Sequence, residues 1–393
     1  MTGFLLPLVV TFAVQIQASL VVFTPPVLAP AAEPDIGVSA AAVGIVIALI
    51  YVTSVPSALL SGHVLARMGA IRVSQLCLLF TSAGMALMAI PSPWLIAFGA
   101  LVVGIGYGAV TPASSSVLAD RVPDGLRAFI FSIKQSGVPI GGAIAGALVP
   151  ILILVSNWQR AALAIAVIGA AVVVAMQSVQ RGMDAGHAKT SSSGVSLLEP
   201  LRLVMSHPRL RELAISSFTF SGMQMCLGSY LVIALVARAG FSLSAAGAAL
   251  SVAMIAGAAG RPIFGAMADR WISPRRLLGW LGLGMSVGAF LTAAVSTAWP
   301  ATAIYLLALG FGAAAVGWNG VYLAEVARIA PVGRAGAATG ASLAMTYSGV
   351  VVLPLLFWGV YAASGSYAGS FTTIGLLSLW RGAMFFSRAR TEA

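Results

Sequence analysis

The chain is a succession of apolar runs, each long enough to cross a lipid bilayer, separated by short polar stretches. About 20 residues of helix cross the hydrocarbon core. Every backbone N–H and C=O in lipid must be satisfied internally, so only helices or closed barrels can span it. Runs of that length occur at Phe4–Leu28, Ala40–Ser61, Val73–Ile90, Trp94–Leu118, Ala128–Val155 and Ala161–Val179. A second set lies at Glu212–Val236, Ser244–Met267, Leu277–Ser296, Ala301–Leu323, Gly336–Ala362 and Tyr367–Phe386. The runs are continuous rather than alternating, which selects helices over a barrel. Only 8% of the 393 residues are charged and 60% are hydrophobic, whereas soluble domains carry roughly 25% charged residues. A soluble domain and a disordered chain are both excluded. The expected fold class is an all-α membrane protein with twelve transmembrane helices. The last span is the weakest, because Arg381 interrupts it. No Lys or Arg precedes Phe4, so the first run is read as a retained helix rather than a signal peptide.

The net charge of +11 would suit nucleic acid if the basic residues formed one patch. They instead fall in clusters between the apolar runs, so no nucleic-acid partner is expected. With both termini placed inside, eighteen of the 21 Lys and Arg lie in or beside cytoplasmic segments, Arg160 and Arg238 lie outside, and Lys134 is left within a span. Basic residues favour the cytoplasmic side. The expectation is a multi-pass protein of a bacterial inner membrane with cytoplasmic N and C termini. Arg181–Arg211 is the most polar stretch and reads as a cytoplasmic linker, with a short amphipathic helix at Ser196–Met205. The domains expected are a six-helix bundle over 1–180, the linker 181–211 and a second six-helix bundle over 212–393.

The halves repeat. Gly62–Arg67 after the second span corresponds to Gly265–Arg270 after the eighth, and Leu118-Ala119-Asp120 to Leu323-Ala324-Glu325. Ser136-Gly137-Val138 corresponds to Ser348-Gly349-Val350, and Gln17 to Gln224. On these features the chain resembles the major facilitator superfamily over essentially its whole length. The resemblance implies two pseudo-symmetric six-helix halves that bind a solute between them and work by alternating access. The superfamily loop pattern G-x-L-A-D-R-x-G-R-R is matched by Gly265, Met267, Ala268, Asp269, Arg270, Arg275 and Arg276, with Ile272 in place of the second glycine. After span two, Gly62, Arg67, Gly69 and Arg72 match, but Ala66 replaces the aspartate. The resemblance implies a conformational latch at Gly62, Arg67, Gly265, Asp269 and Arg270, weakened at Ala66. The arginine of proton-linked members is Ala100 here, and the antiporter-like Gly137-Val138-Pro139-Ile140-Gly141-Gly142 is equally explained by close packing. Gly260-Arg261-Pro262 is similar to the substrate-binding stretch of monocarboxylate transporters, with Gly257 where those have an aspartate.

Ionisable groups within a membrane are costly and usually face a cavity. Lys134 followed by Gln135 joins a cation to an amide, a pair suited to a carboxylate or phosphate. Arg261 is a second cation candidate. The neutral candidates are Gln17, Tyr107, Gln224, Asn319 and Tyr347, each of which could equally bond another helix. Gln15 and Gln17 lie about 200° apart around a helix, so at most one faces a cavity directly. The carboxylates, including Glu33 and Asp35 in the first outside loop, lie away from the span centres. Cations without a central carboxylate favour an anionic solute. Any proton coupling is left to enter with the anion or through Lys134 changing state. His63, His187 and His207 are read as loop residues without metal-ligand spacing, and Gly104-Ile105-Gly106-Tyr107-Gly108 lacks the strand a nucleotide loop requires. No enzyme, metal or cofactor is expected. The reading is a secondary transporter of a small organic anion such as a monocarboxylate, functional as a monomer. Proton-coupled drug efflux and a non-transporting membrane sensor are the alternatives.

Overall fold

The computed structural model describes residues 4–119, 121–122, 127–184, 198–331 and 335–387. The chain divides into two compact units, Met1–Gly194 and Val195–Ala393. In the first unit lie α1 (Leu5–Ile36), α2 (Val43–Met68), α3 (Ala70–Met88), α4 (Pro93–Ala119), α5 (Arg127–Val155) and α6 (Trp158–Asp184). In the second lie α7 (Leu198–Ser206), α8 (Pro208–Ala239), α9 (Leu243–Arg270), α10 (Pro274–Ala294), α11 (Ala301–Gly317), α12 (Asn319–Ile329), α13 (Ala335–Ser364) and α14 (Tyr367–Ser387). Among the described residues, eleven helical segments are long and apolar enough to cross a membrane, one of them made of α11 and α12 together. The helix α14 forms where a twelfth span is expected but is not among the eleven. Short α7 is the amphipathic helix expected at Ser196–Met205.

Each unit pairs its helices in the same pattern. In the first, α1 packs on α5, α2 on α4, and α3 on α4 and α6; in the second, α8 packs on α13, α9 on α11, and α10 on α11 and α14. Small residues set how close these helices come. A Cβ added to Gly141 of α5 would lie 2.5 Å from the Ile16 carbonyl oxygen of α1, and one on Gly137 would lie 3.0 Å from Gln15 Cβ. The corresponding Gly349 of α13 meets the Phe218 backbone of α8. The fifth-span glycine cluster therefore seats α1 directly.

Several boundaries differ from expectation. The first helix continues to Ile36 and ends on Gly37 at φ +70°, so Glu33 and Asp35 are helix residues rather than loop residues. Glu33 Oε2 accepts from the Ala40 N–H at 3.1 Å. Asp35 Oδ2 accepts from Trp158 Nε1 at 2.7 Å and Gln159 Nε2 at 3.1 Å. These bonds satisfy the polar end of the helix, beyond Pro30. The stretch read as a linker is partly helical: α6 reaches Asp184 and α8 begins at Pro208, while 185–197 lie outside the described residues. His63 lies within α2 and is not a loop residue, whereas His207 lies between α7 and α8 as the N-cap of α8.

Candidate functional site

In the first unit the site is built on α5. Lys134 has no exposed surface, and its Nζ donates to Gln135 Oε1 at 3.1 Å. Gln135 is half-buried. One turn on, Gly137 abuts Gln15 of α1; residues three apart share a helix face. Gln15 is 1% exposed. Its Nε2 reaches Ser19 Oγ at 3.5 Å, and its Oε1 accepts from Thr111 Oγ1 of α4 at 3.4 Å. Both contacts are longer than the 2.7–3.2 Å typical of good hydrogen bonds, so this amide keeps capacity for a further partner. Thr111 lies four residues after Tyr107, on the same face of α4. Tyr107 is half-buried and meets Tyr51 of α2 edge-to-face, ring centroids 5.7 Å apart at 71°. A cation, two amides, a hydroxyl and a pair of rings are thus carried on helices that pack directly on one another.

Gln17 is placed differently. It is 3% exposed and donates from Nε2 to the Ile165 carbonyl of α6 at 3.1 Å. That bond joins two helices, the commoner fate of a lone polar residue in a span. Gln15 is the amide that faces α4 and α5, and sequence reasoning passed over it. The signal that could have found it is Gly137, which marks the α1 face turned towards α5. The helix bearing Lys134 was unmarked in the sequence by any partner on α1.

In the second unit the site is built around an interrupted helix. Glycines on both sides of Trp318-Asn319 weaken helix formation, and the break falls at Trp318, between α11 and α12. A helix end leaves carbonyls without intrahelical partners. Arg261 Nε of α9 donates to a carbonyl beside the break, Val316 O, at 3.3 Å. Trp318 is wholly buried, and its Nε1 donates to Gln224 Oε1 of α8 at 3.2 Å. The Trp318 ring meets Phe220 at 5.7 Å and Tyr322 at 5.2 Å. The Tyr322 hydroxyl is set among the hydroxyls of Ser217, Ser342 and Thr346. Asn319 opens α12 half-buried, and Tyr347 is half-buried on α13. The structure brings Gln224 to the helix break through Trp318 and Arg261 through Val316.

The latch residues sit at helix ends. Gly62 and Arg67 lie in the last turns of α2 and Gly265 and Arg270 in those of α9. Arg67 and Arg270 are exposed, and no neighbouring atom crowds Gly265. The side chains of Ala66 and Asp269 lie outside the described residues. A carboxylate does act on the α2–α3 turn. Asp184, at the end of α6, accepts from the N–H groups of Ile71 at 2.9 Å and Arg72 at 3.2 Å, and from Gln180 Nε2 at 3.1 Å. It caps the start of α3, where Gly69 takes φ +82° and leaves no room for a Cβ, which would lie 2.6 Å from Asp184 Cγ. Among the described residues no group of three or more His, Cys, Asp or Glu is placed to hold a metal ion.

A family model described as Major Facilitator Superfamily matches residues 8–354. A gentisate transporter of Corynebacterium glutamicum is 26% identical over 305 residues, which is 73% of this chain and 66% of that protein, so the chain spans just under two thirds of its relative's length. Among solved structures, a variant of the nucleoside transporter NupG superposes with TM-score 0.80 at 15% identity, covering 99% of this chain and 100% of that one. A bacterial homolog of the human lysosomal transporter Spinster, inward-facing and unoccupied, gives 0.75 at 16% identity, covering 98% and 96%. A POT family transporter in complex with a thioalcohol-conjugated peptide gives 0.77 at 13% identity, covering 98% and 96%. At these identities the structural likenesses speak to the fold.

Proposed function

The chain belongs to the Major Facilitator Superfamily, a family of transporters rather than enzymes, and on that premise we propose that it carries a small organic anion, with an aromatic carboxylate as the favoured cargo. The observation that carries the proposal is Lys134, a lysine with no exposed surface in a membrane-spanning helix, whose described hydrogen bond goes to a neutral amide. A buried charge needs compensation, and a solute carboxylate supplies it. The Lys134–Gln135 pair, with Gln15 and Thr111, would hold the carboxylate. Tyr107 and Tyr51 would pack on an apolar or aromatic body, since ring pairs favour offset or edge contacts. In the second unit Arg261, Gln224, Asn319 and Tyr347 are the proposed solute-contacting groups, with Trp318 orienting Gln224. The likeness to a protein named a gentisate transporter supports the choice, gentisate being an aromatic carboxylate.

The same proposal takes α14 as the twelfth span. Arg381, which interrupts its hydropathy, is 3% exposed and donates to Glu212 O at 3.0 Å and Ser216 Oγ at 2.9 Å on α8, so its charge faces the bundle and not lipid. Transport would proceed by alternating access in a bacterial inner membrane with both termini cytoplasmic. Gly62, Arg67, Gly265, Asp269 and Arg270 would bias the conformations, and a proton would travel with the anion or on Lys134.

Uptake and binding of benzoate-type acids by purified protein in liposomes test this. Charge-assisted hydrogen bonds contribute roughly 1.5–3 kcal/mol. Lys134→Ala should therefore weaken binding by about 10- to 150-fold without loss of folded protein, and Lys134→Arg should restore part of it because it keeps the charge with altered reach. Equal dissociation constants in folded wild type and Lys134→Ala would remove the anion reading, as would stabilisation by organic cations alone.

A further inference from the structure

A second cluster of charge, apart from the solute-binding groups, lies where α8 and α10 begin. Here α8, α10 and α12 enclose a cavity of about 200 Å³. Arg209, Arg275 and Arg328 line it together with Glu212 and Glu325. The carboxylates lie beneath and the guanidiniums above. The side chains of Glu212 and Glu325 are 7% and 5% exposed, and those of Arg275 and Arg328 are 23% and 65% exposed. Arg275 Nη2 pairs with Glu212 Oε1 at 3.1 Å. Arg328 forks onto both oxygens of Glu325, at 2.7 Å and 2.6 Å.

Two observations show that these ion pairs leave the cavity incomplete. The described lining carries three guanidiniums and two carboxylates, a formal charge of +1. The Arg275 Nε–H is also buried without a hydrogen-bond partner among the described residues, and leaving a buried donor unsatisfied is costly. Helix backbone adds to both effects. Ser273, the N-cap of α10, lines the cavity and makes no side-chain capping bond, and the first N–H groups of a helix carry partial positive charge. A donor-rich lining of net positive charge, in which Glu212 and Glu325 are already paired, calls for an external group with several acceptor oxygens.

We propose that this cavity binds a phosphate group, whether the headgroup of an anionic phospholipid or a free phosphate. Guanidinium forks match phosphate oxygens in geometry as well as charge. The cavity's place at the starts of two membrane-spanning helices sets it at the depth where lipid headgroups lie, and basic residues there attract anionic lipid.

The test uses the full chain, purified and delipidated in a neutral detergent, with two probes: inorganic phosphate and short-chain phosphatidylglycerol. Saturable binding is read by native mass spectrometry and by the rise in melting temperature. Two variants accompany the wild type. Arg209→Gln removes an exposed cation. Arg275→Lys keeps the charge facing Glu212 but deletes the Nε–H donor. Each should weaken binding by about tenfold or more, given the size of charge-assisted bonds, with unchanged helical content; if Arg275→Lys fails to fold, Arg209→Gln decides alone. Binding of phosphatidylglycerol that inorganic phosphate does not displace identifies a lipid site. Binding of inorganic phosphate with no gain from the lipid identifies a soluble phosphate ligand. Absence of binding by both probes, or affinities unchanged in the folded variants, overturns the proposal.

Discussion

A lysine without exposed surface and two glutamines two residues apart present the residue-scale question of which polar groups serve the solute. Gly137, one turn after Lys134, abuts Gln15 where α1 meets α5, whereas Gln17 is spent on the Ile165 carbonyl. Replacing each glutamine by alanine should separate these roles. Gln15→Ala should weaken organic-anion binding by about 2- to 12-fold, the range of one neutral hydrogen bond worth 0.5–1.5 kcal/mol, and leave the melting temperature near wild type. Gln17→Ala should leave affinity unchanged and lower the melting temperature, since it removes a tie between α1 and α6. Isothermal titration with a benzoate-type acid, beside thermal melts in the same detergent, reads both. The reverse pattern would return Gln17 to the site and take Gln15 out of it.

At the scale of the element, the turn between α2 and α3 is held by a carboxylate from a distant helix. Ala66 stands where the superfamily pattern has an aspartate, and the latch was expected to be weakened there. In the structure Asp184 of α6 caps α3 through the Ile71 and Arg72 N–H groups, and Gly69 makes the space for it. Capping side chains are worth about 0.5–2 kcal/mol. Asp184→Ala should therefore lower stability by about that amount and raise hydrogen exchange at the start of α3, while Asp184→Asn, which keeps one acceptor, should lose less. Unchanged exchange at Ile71 and Arg72 in Asp184→Ala would mean that the cap does not hold this turn. Arg381 makes a related point: a charge that breaks the hydropathy of α14 is absorbed by Glu212 O and Ser216 Oγ on α8.

For the whole molecule, the charge asymmetry predicts that the stretch containing Ser192, outside the described residues, faces the cytoplasm. A Ser192→Cys protein should resist a membrane-impermeant thiol reagent in intact cells and react in inverted vesicles; Cys77 and Cys226 are both buried and should stay silent. Labelling from outside would reverse the topology. The approximate extent of eleven of the twelve expected spans was legible because lipid imposes length and continuity on any crossing helix. The pairing of spans was foreshadowed by repeats such as Gly137 and Gly349, each of which meets the first helix of its own bundle, α1 and α8. Lys134 was legible as well, since one charge within an apolar run stands out whatever its neighbours. What periodicity cannot encode is which face of a helix meets which neighbour. That Gln15 rather than Gln17 faces α5, that Trp318 turns Gln224, that Arg261 meets the end of α11, and that Asp184 caps a helix more than a hundred residues away were decided by tertiary structure, because each depends on contacts between helices distant in the chain.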